Sequence, residues 1–346
     1  MNQVRVPPEE LRRPMGPLAC VTTGFEVVAR APWLAVLPLL LDLFLWLGPR
    51  LSIAPILQDI KAFFIQLGSM SEAVPDVGDA YLILSQILDE LSTNFNLLSL
   101  LNPAPLLGVP VLMPTRMTVL NPLGDQRAIE IASFSIMMLG VLVLGLVSLG
   151  LTAAYLAPIG RRVIAETESP LPGPTTILTL WGEFLKVGIL ILGALLAFAT
   201  ALSFLATLIG LFSLTLAGLV MTLASSAVLF IAVHLVFTIP GIVQLRKGIF
   251  TALRESLLLT RSDFLHVVFL LGLVLVISQG LRVVWTLPNP DSWSTIVGLA
   301  GHAFVSTALT AALLVFYQER LQYLEVMKQI YATRLKKANA HPAVGE

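Results

Sequence analysis

Three stretches of this chain contain no Asp, Glu, Lys or Arg and consist mostly of apolar residues. They are residues 131–160, 187–245 and 292–318. About 20 apolar residues are enough for a helix to cross the ~30 Å hydrocarbon core of a bilayer. The middle stretch is too long for one crossing and suits two, with a turn near Gly210. The pattern therefore predicts a helical protein that crosses a membrane several times.

Two further apolar segments begin at Pro32 and Phe264, which brings the predicted number of transmembrane helices to six. The predicted fold class is thus an all-α integral membrane protein. The predicted spans are residues 32–49, 131–157, 183–208, 212–240, 264–287 and 295–317. Residues 1–31 are expected to form a cytoplasmic, interfacial N-terminus. Residues 318–346 are expected to continue the last span as a cytoplasmic amphipathic tail.

Residues 50–130 form the one long segment between predicted spans. Apolar residues within 53–67 and within 84–98 recur with the i, i+3, i+4, i+7 spacing of a helix face. Both helices are too short and too polar to cross a bilayer, and residues 102–125 are rich in proline and predict a loop. We therefore expect an extracytoplasmic helical insertion that forms a small cap.

Charged amphipathic runs lie before some of the spans. Residues 158–182 and 241–263 are predicted as cytoplasmic segments with helices on the membrane surface, each followed directly by a span. An acid, an aromatic residue and a base recur 80 residues apart where these spans begin. The predicted interfacial anchors are Glu183, Lys186, Asp263 and His266.

This recurrence predicts three helix-pair units, each preceded by an interfacial helix, because each pair of spans returns the chain to the same side. Pro32 occupies the equivalent position before the first span, without the acid. The alternative is that any helix entering from the cytoplasm favours an aromatic residue and a charge at the interface. Both interpretations remain open at the level of the sequence.

The amphipathic run from Ala252 to Phe264, followed by a span, resembles a pattern in a broad set of bacterial multi-pass membrane proteins. These include the membrane domain attached to some glycerophosphodiester phosphodiesterases. The likeness covers mainly residues 160–335 and rests on pattern rather than on signature residues. It implies a fold type in a bacterial cell membrane and, since no hydrolase portion is visible, no activity.

Composition and charge narrow the class of protein further. Hydrophobic residues make up 56% of the chain and charged residues 12%, against about 25% charged in soluble domains. The net charge is zero, so the chain lacks the basic excess that nucleic-acid binding requires. Membrane lipids, and other membrane proteins, are the expected partners.

The distribution of basic residues predicts how the chain is threaded. If both termini are cytoplasmic, 16 Lys and Arg residues lie on the cytoplasmic side and 5 on the other. Cytoplasmic loops carry an excess of Lys and Arg. We therefore expect a cell-membrane protein with both termini in the cytoplasm.

Asp42 is the least expected residue in the predicted spans, because ionisable groups within a bilayer are costly and usually pair or line a path. Helix geometry places it near or just beyond the middle of the membrane. One hypothesis is an intramembrane polar cluster of Asp42, Arg282, His302 and Gln279. The alternative is that Asp42 lies at the outer interface, neutral or hydrogen-bonded, because the span is short.

Apart from this cluster, the sequence indicates no catalytic or ligand-binding site. The four histidines are far apart, and no metal-ligand spacing, catalytic set or nucleotide motif is visible. We therefore expect no catalytic, cofactor or metal site. The favoured function is a non-enzymatic membrane scaffold or lipid-contacting subunit. The alternative is a transporter with a polar cluster around Asp42, and a lipid-modifying enzyme has the least support.

Overall fold

The computed structural model describes residues 13–69, 75–102, 108–115, 120–169, 171–246 and 248–340, and most of them are helical. Five helical segments are long and apolar enough to cross a membrane, or six if Pro17–Arg30 and Pro32–Leu47 together count as one span. This agrees with the predicted class of helical membrane protein. The first 12 and last six residues of the two predicted terminal segments lie outside the described residues.

Eleven α-helices occupy the described part of the chain. They are α1 (Pro17–Arg30), α2 (Val36–Leu47), α3 (Ala54–Ser69), α4 (Pro75–Asn94), α5 (Phe134–Glu166), α6 (Ile177–Gly210), α7 (Leu214–Leu235), α8 (Thr238–Leu245), α9 (Ile249–Ser262), α10 (Phe264–Trp285) and α11 (Thr295–Ala340).

The first predicted span is short and begins irregularly. A 3-10 helix, Pro32–Ala35, precedes α2, because proline lacks an N–H donor and disfavours helical geometry in the residue before it. α2 itself has 12 residues, which corresponds to about 18 Å. Asp42 is the seventh of these 12 residues and therefore lies in the middle of a helix that is shorter than the hydrocarbon core.

The helices on either side of the predicted cytoplasmic loop are longer than the predicted spans. α5 continues past Pro158 to Glu166, where Arg162 and Glu166 form an ion pair one turn apart. α6 begins at Ile177, and the side chain of Thr176 caps it by accepting the N–H of Thr179. The amphipathic run before the third predicted span is therefore the first part of α6 and not a separate surface helix.

α9 and α10 differ from α6 in this respect. α9 ends at Ser262, Asp263 is not helical, and α10 begins at Phe264. The amphipathic run before the fifth predicted span is thus a separate helix, as the sequence indicated. α8 and α9 are also separate, with Arg246 in the left-handed conformation at the end of α8.

The insertion contains α3, α4 and four short strands that the sequence did not indicate. β1 (Arg50–Ser52) pairs in parallel with β4 (Ala128–Glu130), and β2 (Leu120–Asn121) pairs antiparallel with β3 (Gly124–Asp125). α3 and α4 contact each other, and Lys61 Nζ lies 2.6 Å from Asp89 Oδ2 between them.

The chain divides into two compact units, the first of which comprises Met1–Arg30, Ala157–Val274 and Ala308–Glu346. Within it Phe237 stacks on Phe316 and Tyr317. Gly24 lies so close to α11 that an added Cβ would be 2.5 Å from the Ala308 carbonyl oxygen and 2.7 Å from the Ala312 nitrogen. Small residues at this contact let the two helices approach closely.

The second unit comprises Ala31–Leu156 and Leu275–Thr307. Trp46 is buried in it, packs edge-on against Trp293 and donates its indole N–H to the Pro290 carbonyl at 2.9 Å. Gly298 and Gly301 lie against Trp285, and an added Cβ on either would come within 2.8 Å of it. These contacts fix the start of α11 within this unit.

α11 is much more buried than the other candidate spans. The most apolar window of α11 is 78% buried, whereas the windows of the other four spans are between 0% and 17% buried. Large apolar side chains cover the exposed surfaces of α6 and α7, including those of Phe204, Leu214 and Leu223. α11 is therefore the packed helix of the molecule, and α6 and α7 present their side chains outward.

Candidate functional site

Asp42 is fully buried on α2. Its Oδ1 accepts the backbone N–H groups of Leu112 at 2.7 Å and of Met113 at 2.9 Å. These residues lie at the start of a 3-10 helix, Met113–Thr115. The first N–H groups of a helix have no acceptor within it, so the carboxylate supplies one. Asp42 thereby attaches the chain around Leu112 to α2.

The predicted pairing of Asp42 with Arg282 or His302 differs from these contacts. The two hydrogen bonds of Oδ1 go to main-chain groups of the second unit rather than to either basic side chain. A buried carboxylate is stabilised when N–H donors surround it. The geometry agrees with the hydrogen-bonded state of Asp42 that the alternative predicted.

The other three residues of the predicted cluster lie on α10 and α11. Arg282 Nη1 donates to Gln279 Oε1 at 3.3 Å, one turn away on α10. His302 is nearly buried on α11, and its Nδ1 lies 3.4 Å from the hydroxyl of Ser306. The structure thus brings Arg282 together with Gln279, and the contact that it shows for the His302 ring is with Ser306.

The predicted interfacial anchors form two similar pairs. Lys186 Nζ lies 2.7 Å from Glu183 Oε1, and His266 Nδ1 contacts Asp263 Oδ1, in both cases three residues along the chain. Lys186 and His266 are exposed. The pairs match in position and in spacing, as expected if the two segments are related.

Asp263 makes a further contact that Glu183 does not match. Its Oδ2 pairs with Arg320 Nε on α11. The Arg320 side chain is 6% exposed and lies over the ring of Phe316, 4.7 Å from the ring centroid. Asp263 therefore connects the junction of α9 and α10 to the packed helix.

Buried polar side chains on α11 and α8 were not identified from the sequence. Gln318 donates to the hydroxyl of Thr167, and Gln244 Nε2 donates to the Leu314 carbonyl at 3.3 Å. Both glutamines are buried. Each lies at the end of a charge-free stretch, where the sequence indicated the exit of a span, so their position alone gave no reason to single them out.

Two cavities lie in the second unit near the end of α2. The smaller, of about 90 Å³, is lined by Arg50, Asn96 and Gln126 among others. The larger, of about 430 Å³, is lined by Asn121, Gln126 and Arg127 among others. Gln126 donates its side-chain amide to the Leu45 and Trp46 carbonyls at the end of α2. The sequence identified Arg50 only as an extracytoplasmic charge.

Metal chemistry has no candidate site in the part of the chain that the structure describes, because no three His, Cys, Asp or Glu side chains are grouped there. The one cysteine, Cys20, is buried. Near the end of α2 the structure instead offers hydrogen-bond donors and the buried guanidinium of Arg50, which are groups that bind anions.

Comparisons with protein-family models, with curated proteins and with solved structures find no significant match to this chain.

Proposed function

We propose that this protein is a non-enzymatic integral membrane protein of the cell membrane, acting as a scaffold or as a lipid-contacting subunit of a membrane assembly. Its six spans form three helix pairs, with both termini in the cytoplasm and residues 50–130 outside. Its partners are membrane lipids and other membrane proteins. The resemblance of residues 160–335 to a pattern in bacterial multi-pass proteins supports a bacterial cell membrane as part of this proposal.

The observation that carries the proposal is the exposure of α6 and α7. No residue in the most apolar window of either helix is buried, although both windows are as apolar as those of the other candidate spans. Such surfaces are stable only where lipid or another apolar surface covers them. A hairpin of this kind provides a large area for contact with lipid or with a neighbouring membrane protein.

The positions of basic residues on α5 and α9 support the proposed orientation, in which both termini lie in the cytoplasm. Arg161 and Arg162 lie in the last turns of α5, and Arg254 and Arg261 lie on α9. All four belong to the side that holds 16 of the 21 Lys and Arg residues. Similar ion pairs at Glu183 and Asp263 support the relationship between the units.

A transporter with a polar path around Asp42 is the alternative function. It requires Asp42, Arg282, His302 and Gln279 to line one water-filled route. The hydrogen bonds of Asp42 to Leu112 and Met113 favour a structural role instead. The hydrogen bond between Arg282 and Gln279 is the observation that favours this alternative.

Thiol accessibility distinguishes the two functions. In a Cys20→Ser background, Gln279→Cys is reconstituted in lipid nanodiscs and treated with a membrane-impermeant maleimide. Gln279 is exposed on α10, so a lipid-facing position predicts labelling at least about tenfold slower than in water, since lipid excludes the reagent.

Two controls calibrate that experiment. Leu275→Cys, which is exposed on α10 one turn before Gln279, gives the rate expected in lipid. Ser292→Cys, in the turn between α10 and α11, gives the rate expected in water. The proposal predicts that Gln279→Cys behaves like Leu275→Cys. A rate equal to that of Ser292→Cys would indicate a water-filled path and would support the transporter.

A further inference from the structure

Arg50 is held in a nearly buried position beyond the end of α2. It opens β1, and its backbone N–H donates to the Arg127 carbonyl at 3.0 Å. The residue is only 8% exposed. Arginine normally keeps its charged end in water, so the local fold confines a cation that would otherwise be solvated.

The charge of Arg50 has no acidic partner among the described residues. Its Nη2 donates to the Ser92 carbonyl at 3.1 Å, near the C-terminus of α4, where a cation is favourable. That bond uses one of the five N–H donors of the guanidinium, and Nε has no acceptor in the described part of the chain. Burial lowers the pKa of Arg50 below its usual value.

A polar cavity adjoins this guanidinium. It has a volume of about 90 Å³, and its described lining includes Asn94, Asn96, Ser99 and Gln126 but no acidic residue. Roughly 10–15 Å³ of such space holds one water molecule, so the cavity can hold a small anion. The Oδ1 of Asn96 already accepts the N–H groups of Leu51 and Leu98, which leaves its amide group to act as a donor.

We propose that this cavity, the Arg50 cavity, binds a phosphate group. The guanidinium provides two parallel N–H donors to the phosphate oxygens, the geometry for which arginine is preferred over lysine, and the side-chain amides of Asn94 and Asn96 are the further donors of the lining. The phosphate belongs either to a free anion or to a phospholipid headgroup. The site does not depend on the proposed scaffold function.

Phosphate titration of the purified, full-length protein tests the site. The protein is delipidated in detergent, which a phosphorus assay verifies, and its unfolding temperature is followed while inorganic phosphate replaces chloride at constant ionic strength. A ligand that binds only the folded state raises the unfolding temperature in a saturable manner. We expect this rise in the wild type and in Arg127→Gln, which removes an exposed positive charge nearby, and its loss in Arg50→Gln.

A second variant covers the case in which Arg50→Gln does not fold. Ser99→Asp keeps Arg50 and places a carboxylate on the cavity wall, where it competes for the guanidinium. We expect its apparent affinity for phosphate to be at least about tenfold weaker than that of the wild type, because like charges repel and the arginine is already paired. Unchanged affinity in Ser99→Asp would count against the site.

Nanodiscs identify the source of the phosphate. In discs of phosphatidylcholine and phosphatidylglycerol in equal parts, a headgroup in the cavity would abolish the response to inorganic phosphate, whereas a site for a free anion would retain it. Either result agrees with a phosphate site. The proposal is overturned if the delipidated wild type shows no response, which would mean that water fills the cavity, or if Arg50→Gln responds as the wild type does.

Discussion

The last helix, α11, and the hairpin of α6 and α7 are both apolar enough to cross a membrane, and they differ in what covers them. The most apolar window of α11 is 78% buried, and those of α6 and α7 are not buried at all. α11 is also less apolar than α6. In this protein the more apolar helix is therefore the more exposed one, whereas in a soluble protein the more apolar surfaces are buried.

The physical reason lies in the size and polarity of the side chains. Buried positions of α11 carry Ala303, Ala308, Ala311 and Ala312, together with Thr307 and Thr310. Exposed positions of α6 carry Leu, Ile and Phe. Small and hydroxyl-bearing residues allow helices to pack within a membrane, whereas large apolar ones are equally stable against lipid. The comparison indicates which helix holds the fold together and which one is available for other contacts.

Removing a large side chain from α11 and from α6 should give the largest difference in stability between the two regions. Leu314 is fully buried on α11 and Leu192 is 59% exposed on α6. Leu314→Ala should lower the free energy of unfolding by about 4 kcal/mol, because it leaves a cavity. Leu192→Ala should change it by less than about 0.5 kcal/mol. Equilibrium unfolding in mixed micelles measures both, and similar losses would break the comparison.

The ion pairs of Asp263 and Glu183 should also differ in their contribution to the free energy of unfolding. Asp263→Asn removes the partner of a nearly buried Arg320 and should cost about 3 kcal/mol, since an uncompensated charge remains. Glu183→Gln removes only the pair with exposed Lys186 on α6 and should cost less than about 0.5 kcal/mol. The same unfolding assay applies. A large loss in Glu183→Gln would show that α6 is packed there.

Replacing glycine by alanine should lower the stability of the protein at the contact of α1 with α11 and raise it on α6. Gly24→Ala would place a Cβ against the backbone of α11 and should cost about 2 kcal/mol through overpacking. Gly193 on α6 has open space around it, so Gly193→Ala should stabilise by up to about 1 kcal/mol through helix propensity. If Gly24→Ala were neutral, the close approach of α1 to α11 would be contradicted.

The last comparison concerns two substitutions of Asp42, which is buried on a third helix. Asp42→Asn keeps an acceptor for Leu112 and Met113 and should cost about 1 kcal/mol, the difference between charged and neutral hydrogen bonds. Asp42→Ala leaves both N–H groups without that acceptor and should cost about 3 kcal/mol. Thermal unfolding ranks the two variants. Equal losses would mean that the charge itself is required, as in the predicted polar cluster.

The sequence predicts the long helices well, because charge-free stretches of this length have few alternatives to helices in a membrane. It does not predict which of them is packed. Gly193 with Ala197, and Ala308 with Ala312, are the same small-xxx-small pattern, but only the second pair meets a partner, Gly24. The pattern describes one surface, and packing depends on the surface opposite it.

The candidate sites show the same limit. Asp42 is unusual in the sequence and is buried in the structure, but its partners are backbone groups about 70 residues away, which no side-chain pattern indicates. In the sequence, Arg50 looks like an ordinary charge that follows a span. Its burial, and the absence of an acidic partner among the described residues, depend on how β1, β4 and α4 meet. Local patterns find a residue of unusual type, and only the fold shows what it contacts.

Covalent mapping of the lipid-facing surface tests the difference between α11 and the α6–α7 hairpin most directly. The wild-type protein in nanodiscs is irradiated with a membrane-soluble diazirine, and mass spectrometry locates the label. We predict that residues 187–235 carry at least about tenfold more label per residue than residues 308–318, because packed helices exclude lipid. Equal labelling of the two segments would contradict the assignment of α11 as the packed helix.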